Sequence, residues 1–380
     1  MGNLLSFRSY ATYEVAALLS CVSVTSLGIL AFEITLTRIL SVIYSYHYSF
    51  FVVSLALFGF GLGGILVQPI IVKPTSKNVF SSLALLSLFF SLSVSFLTVS
   101  ISTTMSPNML ADAIIMFLPF LVAGIFMAAV YRSFATYGNI VYFADLAGAS
   151  IGSLASLMLL PQHGAINTVF LIGMVSSVGS LLLAVTSKKR MMVVAAVAGL
   201  LLLAFSTQHL HTGQVLDVQI AGDQNKELCN FLKDSSLGAK IIDSRWSAFG
   251  RTDLVELGIS PDTKTIFVDG GAGTLMYQFN GDFSNTSSEV YKLKYSTGYY
   301  PYYFADKGSA LVIGAGGGVD VLNALAAGVN HITAVEVNPE TVNIVRDYSD
   351  YNGGIYTKYE NVEVFIDKRK KLSQAHTCEI

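Results

Sequence analysis

Charged residues are scarce in this sequence, and their scarcity defines the class of protein. Of 380 residues only 13% are Asp, Glu, Lys or Arg, whereas 53% are hydrophobic, and the mean hydropathy is +0.58. Soluble domains carry about 25% charged residues, so the composition excludes a wholly soluble protein. Residues 1–206 hold 8 Lys or Arg and 4 Asp or Glu, against 15 and 21 in residues 207–380. We therefore expect a membrane domain followed by a mildly acidic soluble region.

Cysteine and histidine are also rare. The three cysteines, Cys21, Cys229 and Cys378, are far apart and odd in number, which argues against a disulfide framework. The six histidines are dispersed, so we predict no metal site. The sequence has no basic stripe, which excludes nucleic acid as a partner. The predicted partner is the lipid bilayer, and a homo-oligomer stays an open alternative.

Long apolar runs dominate the first part of the chain. Seven of them are candidate membrane helices by their length, although the last is short. They cover residues 15–32, 48–72, 79–101, 109–131, 139–160, 165–186 and 191–206. We predict a polytopic α-helical membrane domain of about seven helices in residues 1–206.

Several of these runs are rich in small residues. Glycine occurs four times between residues 59 and 64, and Gly148, Ser150 and Gly152 repeat the theme in the fifth run. Small residues allow helices in lipid to approach closely. No strand precedes these glycines, so we expect a packing role rather than a ligand site.

Four ionisable residues lie in or near the apolar runs, where they are costly and often functional. Glu33 and Arg38 belong to the sequence FEITLTR at the end of the first run, and a structural ion pair between them is one interpretation. A substrate or proton path through Glu33, Arg38 and Asp145 is the second, and simple placement at the membrane interface is the third. We expect Asp112 to be solvated at the end of a helix.

The region after the membrane domain shows the pattern of a small antiparallel sheet. Alternating or apolar runs occur at residues 215–220, 240–242, 252–258, 265–268 and 275–279, with a short helix at 225–232. Asp269 and Gly270 give a hairpin turn signal between the last two runs. We predict a linker and a small antiparallel β-domain in residues 207–305.

A glycine-rich stretch marks the candidate binding site. A buried strand is predicted at residues 310–313, followed by Gly314, Gly316, Gly317 and Gly318, a helix to about Ala327 and a strand at 332–335 that ends in Glu336. Strand, glycine turn, helix, strand and terminal acid form the fingerprint of a nucleoside or dinucleotide site, in which the acid binds the ribose hydroxyls. The alternative is a glycine turn that merely packs helix on strand.

Three motifs in this region carry a family resemblance: GAGGGVDVLNAL, AVEVNPETV and DYSDYNGGIYTKYENVEVFID. They resemble the spermidine/spermine synthase (polyamine aminopropyltransferase) family, and above all its bacterial branch with an N-terminal multi-span membrane domain. The resemblance is most specific in residues 311–367. It implies a Rossmann-like fold of the S-adenosylmethionine-methyltransferase type. It also implies transfer of the aminopropyl group of decarboxylated S-adenosylmethionine to a polyamine, without a tightly bound cofactor.

By this resemblance, residues 306–380 form a partial Rossmann-like nucleoside-binding domain. The nucleoside substrate is decarboxylated S-adenosylmethionine or S-adenosylmethionine itself, because an acid at position 336 suits both. The residues that would hold it are Gly314, Gly316, Gly318, Asp320, Glu336 and Asp367.

The sequence departs from the family at the amine site. Gly273 stands near the position of a family Gln, and a tyrosine cluster replaces the family Tyr-His-Glu. We expect that cluster, Tyr299, Tyr300, Tyr302 and Tyr303, to be a packed aromatic edge, with a pocket lining as the alternative. After Asp367 the polar tail 368–380 lacks the family's fourth strand and Asp-rich loop. This predicts a truncated, frame-shifted or split protein, and no catalytic residue is assigned.

Three functions therefore stay open. The first is a membrane-bound aminopropyltransferase-like protein, inactive as a truncated chain. The second is a non-catalytic transporter-like or scaffold protein with a nucleoside-sensing domain, and the third is an S-adenosylmethionine-dependent methyltransferase-like enzyme. The resemblance implies a bacterial inner membrane. Positive charges predict a cytoplasmic N-terminus, because with seven spans seven of the eight Lys and Arg residues of the membrane domain fall on one side. Seven spans put the C-terminal domain outside, which conflicts with a cytoplasmic adenosyl substrate.

Overall fold

The computed structural model describes residues 10–44, 49–70, 79–102, 108–212, 218, 226–285 and 288–366. The chain divides into two compact units, Met1–Gly222 and Asp223–Ile380. The described part of the first unit is helical, and the second unit combines short helices with two β-sheets. The protein is therefore mostly helical, with several long apolar helices followed by a small sheet region.

Six helices make up the described part of the helical unit. They are α1 (Thr12–Ile43), α2 (Ser49–Ile70), α3 (Val79–Ser102), α4 (Met109–Ser133), α5 (Gly138–Thr186) and α6 (Arg190–Thr212). Within the described ranges, five of these helices, α1 to α5, are long and apolar enough to cross a membrane. The apolar part of α6 is shorter. α1 continues well beyond the run predicted at 15–32, because residues 33–43 contain no Pro or Gly to end it.

α5 is a helical hairpin rather than one straight helix. Gly164 has non-helical angles (φ 72°, ψ 173°) within its 49 residues. Glycines of both arms pack on the same stretch of α1, Gly148 against Ser23 and Gly179 against Cys21. Because one glycine lies 16 residues before Gly164 and the other 15 residues after it, the chain must reverse direction there. The two apolar runs predicted for this region therefore form separate antiparallel arms.

Small residues allow close contacts between these helices, as predicted. A Cβ atom at Gly148 would overlap the carbonyl oxygen of Ser23 in α1. A Cβ atom at Gly63 of α2 would lie 2.7 Å from the backbone of Gly124 in α4. Nothing lies within 4 Å of the corresponding position at Gly61, so not every glycine of the predicted cluster serves packing.

The first sheet of the second unit is an antiparallel meander. Its strands, in spatial and sequence order, are β1 (Lys240–Ser247), β2 (Gly250–Leu257), β3 (Ser260–Val268) and β4 (Ala272–Tyr277), and α7 (Glu227–Lys233) precedes them. Asp269 and Gly270 have φ of 50° and 71°, the type I′ geometry of a tight hairpin, which confirms the predicted turn. Apart from Val218, which is in no strand, the strand predicted at 215–220 lies outside the described residues.

The second sheet has three parallel strands. They are β5 (Ser309–Ile313), β6 (His331–Glu336) and β7 (Val362–Ile366), in that spatial order, with α8 (Glu289–Lys292) before them, α9 (Val319–Ala327) between β5 and β6, and α10 (Pro339–Asp347) after β6. The Asn338 side chain accepts a hydrogen bond from the Glu340 amide at 3.0 Å and caps α10. Buried residues of both sheets, such as Ile266 and Ile332, belong to one hydrophobic core.

Candidate functional site

The glycine turn between β5 and α9 is the centre of the candidate site. Gly314, Gly316 and Gly318 have φ of 74°, 52° and 92°, a backbone region that only glycine enters readily. The turn brings the carboxyl end of β5 to the start of α9, with Gly318 as the cap residue. The predicted glycine-rich turn is therefore present at the edge where ligands of parallel sheets bind.

Two amides of this turn already have acceptors inside the protein. The Gly316 amide donates to Oε2 of Glu336 at 2.9 Å, and the Gly317 amide donates to Oγ1 of Thr274 at 3.0 Å. A phosphate-binding loop instead leaves its amides free for the ligand. This turn consequently suits an uncharged group better than a phosphate.

Three of the four glycines also serve close packing. A Cβ atom at Gly316 would lie 2.6 Å from the Thr274 side chain, one at Gly317 would overlap the carbonyl oxygen of Leu275, and one at Gly318 would overlap Ile355. The turn therefore packs closely against β4 of the antiparallel sheet.

Gly314 differs from the other three glycines. It is exposed, and nothing lies within 4 Å of the position where its Cβ would be. Its neighbour Ile313 is 74% exposed, as are Val337 (48%) and Ile366 (41%) at the ends of the next two strands. An open apolar edge therefore adjoins the one glycine that a ligand can reach.

Glu336 lies beneath this edge at the end of β6. It is only 8% exposed, and its Oε1 accepts hydrogen bonds from the amides of Val337 at 2.8 Å and Asn338 at 2.9 Å. With the Gly316 amide, three donors occupy a carboxylate that has about four acceptor positions. The predicted ribose acid thus holds the glycine turn in place and keeps little free capacity for a ligand.

Asp320 is exposed in the first turn of α9, two residues after Gly318. Its Oδ1 accepts a long hydrogen bond of 3.3 Å from the Asn323 side chain. Burial, and secondly the charge of Asp320, raise the pKa of Tyr302. Asp320 therefore places a negative charge beside the glycine turn.

Tyr356 is a site residue that the sequence patterns did not single out. Its hydroxyl donates to the carbonyl oxygen of Gly316 at 3.0 Å. Burial, followed by the charges of Glu336 and Asp320, raises the pKa of Tyr356, so the hydroxyl stays a neutral donor. Thr274 was missed in the same way, because its contact with the turn spans 43 residues of sequence.

The remaining predictions for this unit have mixed outcomes. Asp367 lies outside the described residues. The tyrosine cluster forms an aromatic edge: the rings of Tyr299 and Tyr303 are 5.3 Å apart, and Tyr300 and Tyr303 are exposed. Within the described ranges, no group of three or more His, Cys, Asp or Glu residues is placed to hold a metal ion.

Two predictions about ionisable residues of the helical unit are wrong. The structure shows no ion pair between Glu33 and Arg38, both of which are described. α1 runs through both residues, and side chains five apart do not meet on a helix. Asp112 is at a helix start as predicted but is buried rather than solvated. Its Oδ2 accepts a hydrogen bond from the Tyr44 hydroxyl at 2.5 Å, which links the end of α1 to α4.

Comparison with known proteins gives no relative. No protein-family model matches the chain, and no curated protein and no solved structure is significantly similar to it.

Proposed function

We propose that this chain is a membrane-bound protein of the spermidine/spermine synthase type, whose sheet unit binds the nucleoside part of decarboxylated S-adenosylmethionine or S-adenosylmethionine. The observation that carries the proposal is the open position at Gly314, with φ of 74°, beside the exposed apolar ends of the parallel strands. The fine fold assignment, a partial Rossmann-like unit, is part of the same proposal. It is supported by the parallel order of β5, β6 and β7 and by the glycine turn.

The chemistry of the edge favours an adenosyl group. Adenine is flat and largely apolar on its faces, so it can pack on Ile313 and Val337, which are both exposed. The ribose hydroxyls would meet the backbone at Gly314 and the remaining acceptor position of Glu336. The sulfonium of the ligand is positive, and the exposed carboxylate of Asp320 supplies the opposite charge. The amides of Gly316 and Gly317 already donate hydrogen bonds to side chains of the protein, so they are not free to bind a phosphate.

The proposed ancestral reaction is aminopropyl transfer. An amine nitrogen of the polyamine attacks the carbon next to the sulfonium sulfur, the carbon–sulfur bond breaks, and a neutral thioether nucleoside leaves. The amine loses one proton to a general base, which must lie within hydrogen-bond reach of it. We assign no residue to that role.

A binding-only role is the second candidate. The side chains that touch the glycine turn, Thr274, Glu336 and Tyr356, are all engaged in hydrogen bonds within the protein. This arrangement favours a nucleoside-sensing domain attached to a transporter-like or scaffold bundle. A methyltransferase-like enzyme would use the same nucleoside site with S-adenosylmethionine.

Calorimetric titration of the full chain tests the binding site. The ligands are decarboxylated S-adenosylmethionine, S-adenosylmethionine and 5′-methylthioadenosine, with ADP as the phosphate-bearing comparison. We expect at least one of the three sulfur nucleosides to bind more tightly than ADP, and Gly314→Val to abolish binding, because its side chain fills the open position. Gly308→Ala is the control. Equal binding by Gly314→Val, or a preference for ADP, would contradict the proposal.

A turnover assay separates the candidate functions once binding is shown. Release of 5′-methylthioadenosine from decarboxylated S-adenosylmethionine, dependent on added polyamine, indicates aminopropyl transfer. Methylation of an acceptor with S-adenosylmethionine indicates the methyltransferase alternative. Binding without either product indicates the sensing role.

We also propose that the protein lies in a bacterial inner membrane with a cytoplasmic N-terminus. Because α5 is a hairpin, the described part of the helical unit has seven helical segments, and most of the unit's Lys and Arg residues fall on one side. An odd number of crossings puts the sheet unit on the opposite side. Enzyme and fluorescent reporter fusions at Gln214 test this orientation, and a reporter active in the cytoplasm would contradict it.

A further inference from the structure

A partly open cavity, separate from the glycine turn, lies between helices of the helical unit. It has a volume of about 310 Å³ and is formed by residues of α1, α2, α4 and α5. This volume is at the small end of the range of ligand sites, about 300–1,000 Å³. Most of its lining is apolar: Ile29, Leu30, Phe60, Met127 and Ala149.

Asp145 supplies the one charge among the residues that line this cavity. The hydroxyl of Tyr131, another lining residue, donates a long hydrogen bond of 3.5 Å to its Oδ2. Among the described residues no basic side chain forms an ion pair with Asp145. Asp145 lies seven residues into α5, roughly 10 Å along its axis. A carboxylate in an apolar helix without a basic partner is costly and commonly marks a binding site.

Ser26 provides an independent indication of a ligand. The residue is 2% exposed and is one of those that line the cavity, and its buried Oγ has no hydrogen-bond partner among the described residues. Buried hydroxyl groups nearly always have a partner. Ser26, Tyr131 and Asp145 therefore line the same small, mostly apolar cavity.

We propose that this cavity binds a small organic cation, a primary ammonium group on an apolar body. The carboxylate of Asp145 supplies the opposite charge, and the oxygen atoms of Ser26 and Tyr131 accept the remaining N–H groups, since an ammonium has three donors and no acceptor. The apolar lining takes the body of the ligand. A free amine and the head of an aminophospholipid share this chemistry, and the position of Asp145 near a helix end suits entry from the membrane interface.

Calorimetric titration of the full chain in phosphatidylcholine nanodiscs tests the proposal. The probe is 2-phenylethylamine at pH 7, where its amine is protonated, and 2-phenylethanol is the neutral comparison. Titration of empty nanodiscs corrects for partition into lipid. We expect saturable binding of the amine and at least about tenfold weaker binding of the alcohol, because a hydrogen-bonded charge pair is worth more than a neutral bond.

Variants locate the site. Asp145→Asn and Ser26→Ala should each weaken amine binding at least about tenfold, because each removes a hydrogen bond from the charged ammonium. Ala149→Leu fills the cavity and should abolish binding while every polar group stays. Glu14→Gln is the matched charge control at the start of α1 and should bind like the unchanged protein. Thermal unfolding of each variant verifies folding, and if Asp145→Asn is unfolded, the other two variants decide.

Several results would overturn the proposal. They are an absence of saturable amine binding, equal affinity for the alcohol, or unchanged affinity in both Asp145→Asn and Ala149→Leu. Repeating the titration in phosphatidylethanolamine nanodiscs identifies the source of the ligand. Loss of amine binding there indicates that the lipid headgroup occupies the cavity, and unchanged binding indicates a free amine.

Discussion

The buried carboxylate of Glu336 accepts a hydrogen bond of 2.9 Å from the backbone amide of Gly316, which joins the end of β6 to the glycine turn after β5. The same carboxylate accepts the amides of Val337 and Asn338. An acid that sequence patterns assign to a ribose is thus also the residue that fixes the geometry of the turn. A substitution at this position will therefore affect stability as well as ligand binding.

Glu336→Ala should destabilise the sheet unit strongly. Hydrogen bonds to charged groups contribute about 1.5–3 kcal/mol each, and three amides lose their acceptor, so we expect a loss of at least about 3 kcal/mol. Glu363→Gln, an exposed carboxylate on β7, is the control and should be near neutral. Denaturant unfolding of the full chain gives both values. A loss below about 1 kcal/mol would show that the carboxylate does not hold the turn.

Gly314 and Gly317 should respond differently to alanine. Gly317→Ala forces a Cβ into the carbonyl of Leu275, so the turn must move away from β4 and unfolding should become easier by about 2–4 kcal/mol. Gly314→Ala should lower the free energy of unfolding by only about 1–2 kcal/mol, the strain of an alanine at positive φ. Parallel unfolding experiments compare the two variants. Equal losses would contradict the difference in packing.

Tyr356 should make the protein sensitive to alkali. Its pKa is raised in the folded state, so the neutral hydroxyl contributes fully below the unfolded value of about 10. As pH rises above 10 the unfolded state loses the proton first, and the free energy of unfolding falls. At pH 8 the free energy of unfolding of Tyr356→Phe should be about 1 kcal/mol lower than that of the unchanged protein. Between about pH 10 and pH 11.5 it should fall less than that of the unchanged protein. Urea midpoints at several pH values measure this, and parallel curves would refute it.

Gly148 should tolerate no large side chain. Gly148→Leu would drive α5 away from Ser23 of α1 and should lower the thermal unfolding temperature of the helical unit by several degrees at least. Gly61→Leu is the matched control, because the space around Gly61 is open. Thermal unfolding followed by size-exclusion chromatography gives both temperatures. Equal temperatures would mean that the contact between α1 and α5 is not tight.

Tyr44→Phe should weaken the link between α1 and α4. It removes the hydroxyl that donates to the buried Asp112, at a cost of about 1.5–3 kcal/mol for a bond to a charged group. The exposed Tyr142 offers the control Tyr142→Phe. Unfolding in detergent with increasing denaturant compares them. A Tyr44→Phe variant as stable as its control would show that Asp112 does not need this donor.

Local signals in the sequence predicted many elements of this protein. Apolar runs located the long helices, and Asp269 and Gly270 located the hairpin turn. These features depend on neighbours in sequence, so pattern and propensity suffice to find them. The end of α1 was missed because no helix-breaking residue follows Phe32, so the helix runs past the last strongly apolar stretch.

Contacts between distant residues were beyond the reach of these signals. Thr274 and Tyr356 reach the glycine turn across 43 and 40 residues of sequence, and Tyr44 reaches Asp112 across 68. Local patterns were enough to predict a helical apolar unit, a small sheet region and a glycine turn followed by an acid. The amides that bind this acid and the glycine that stays open depend on the packing of the two sheets. The tertiary structure also placed Ser26, Tyr131 and Asp145 around one cavity, because side-chain partners are set by how whole elements pack rather than by their local sequence.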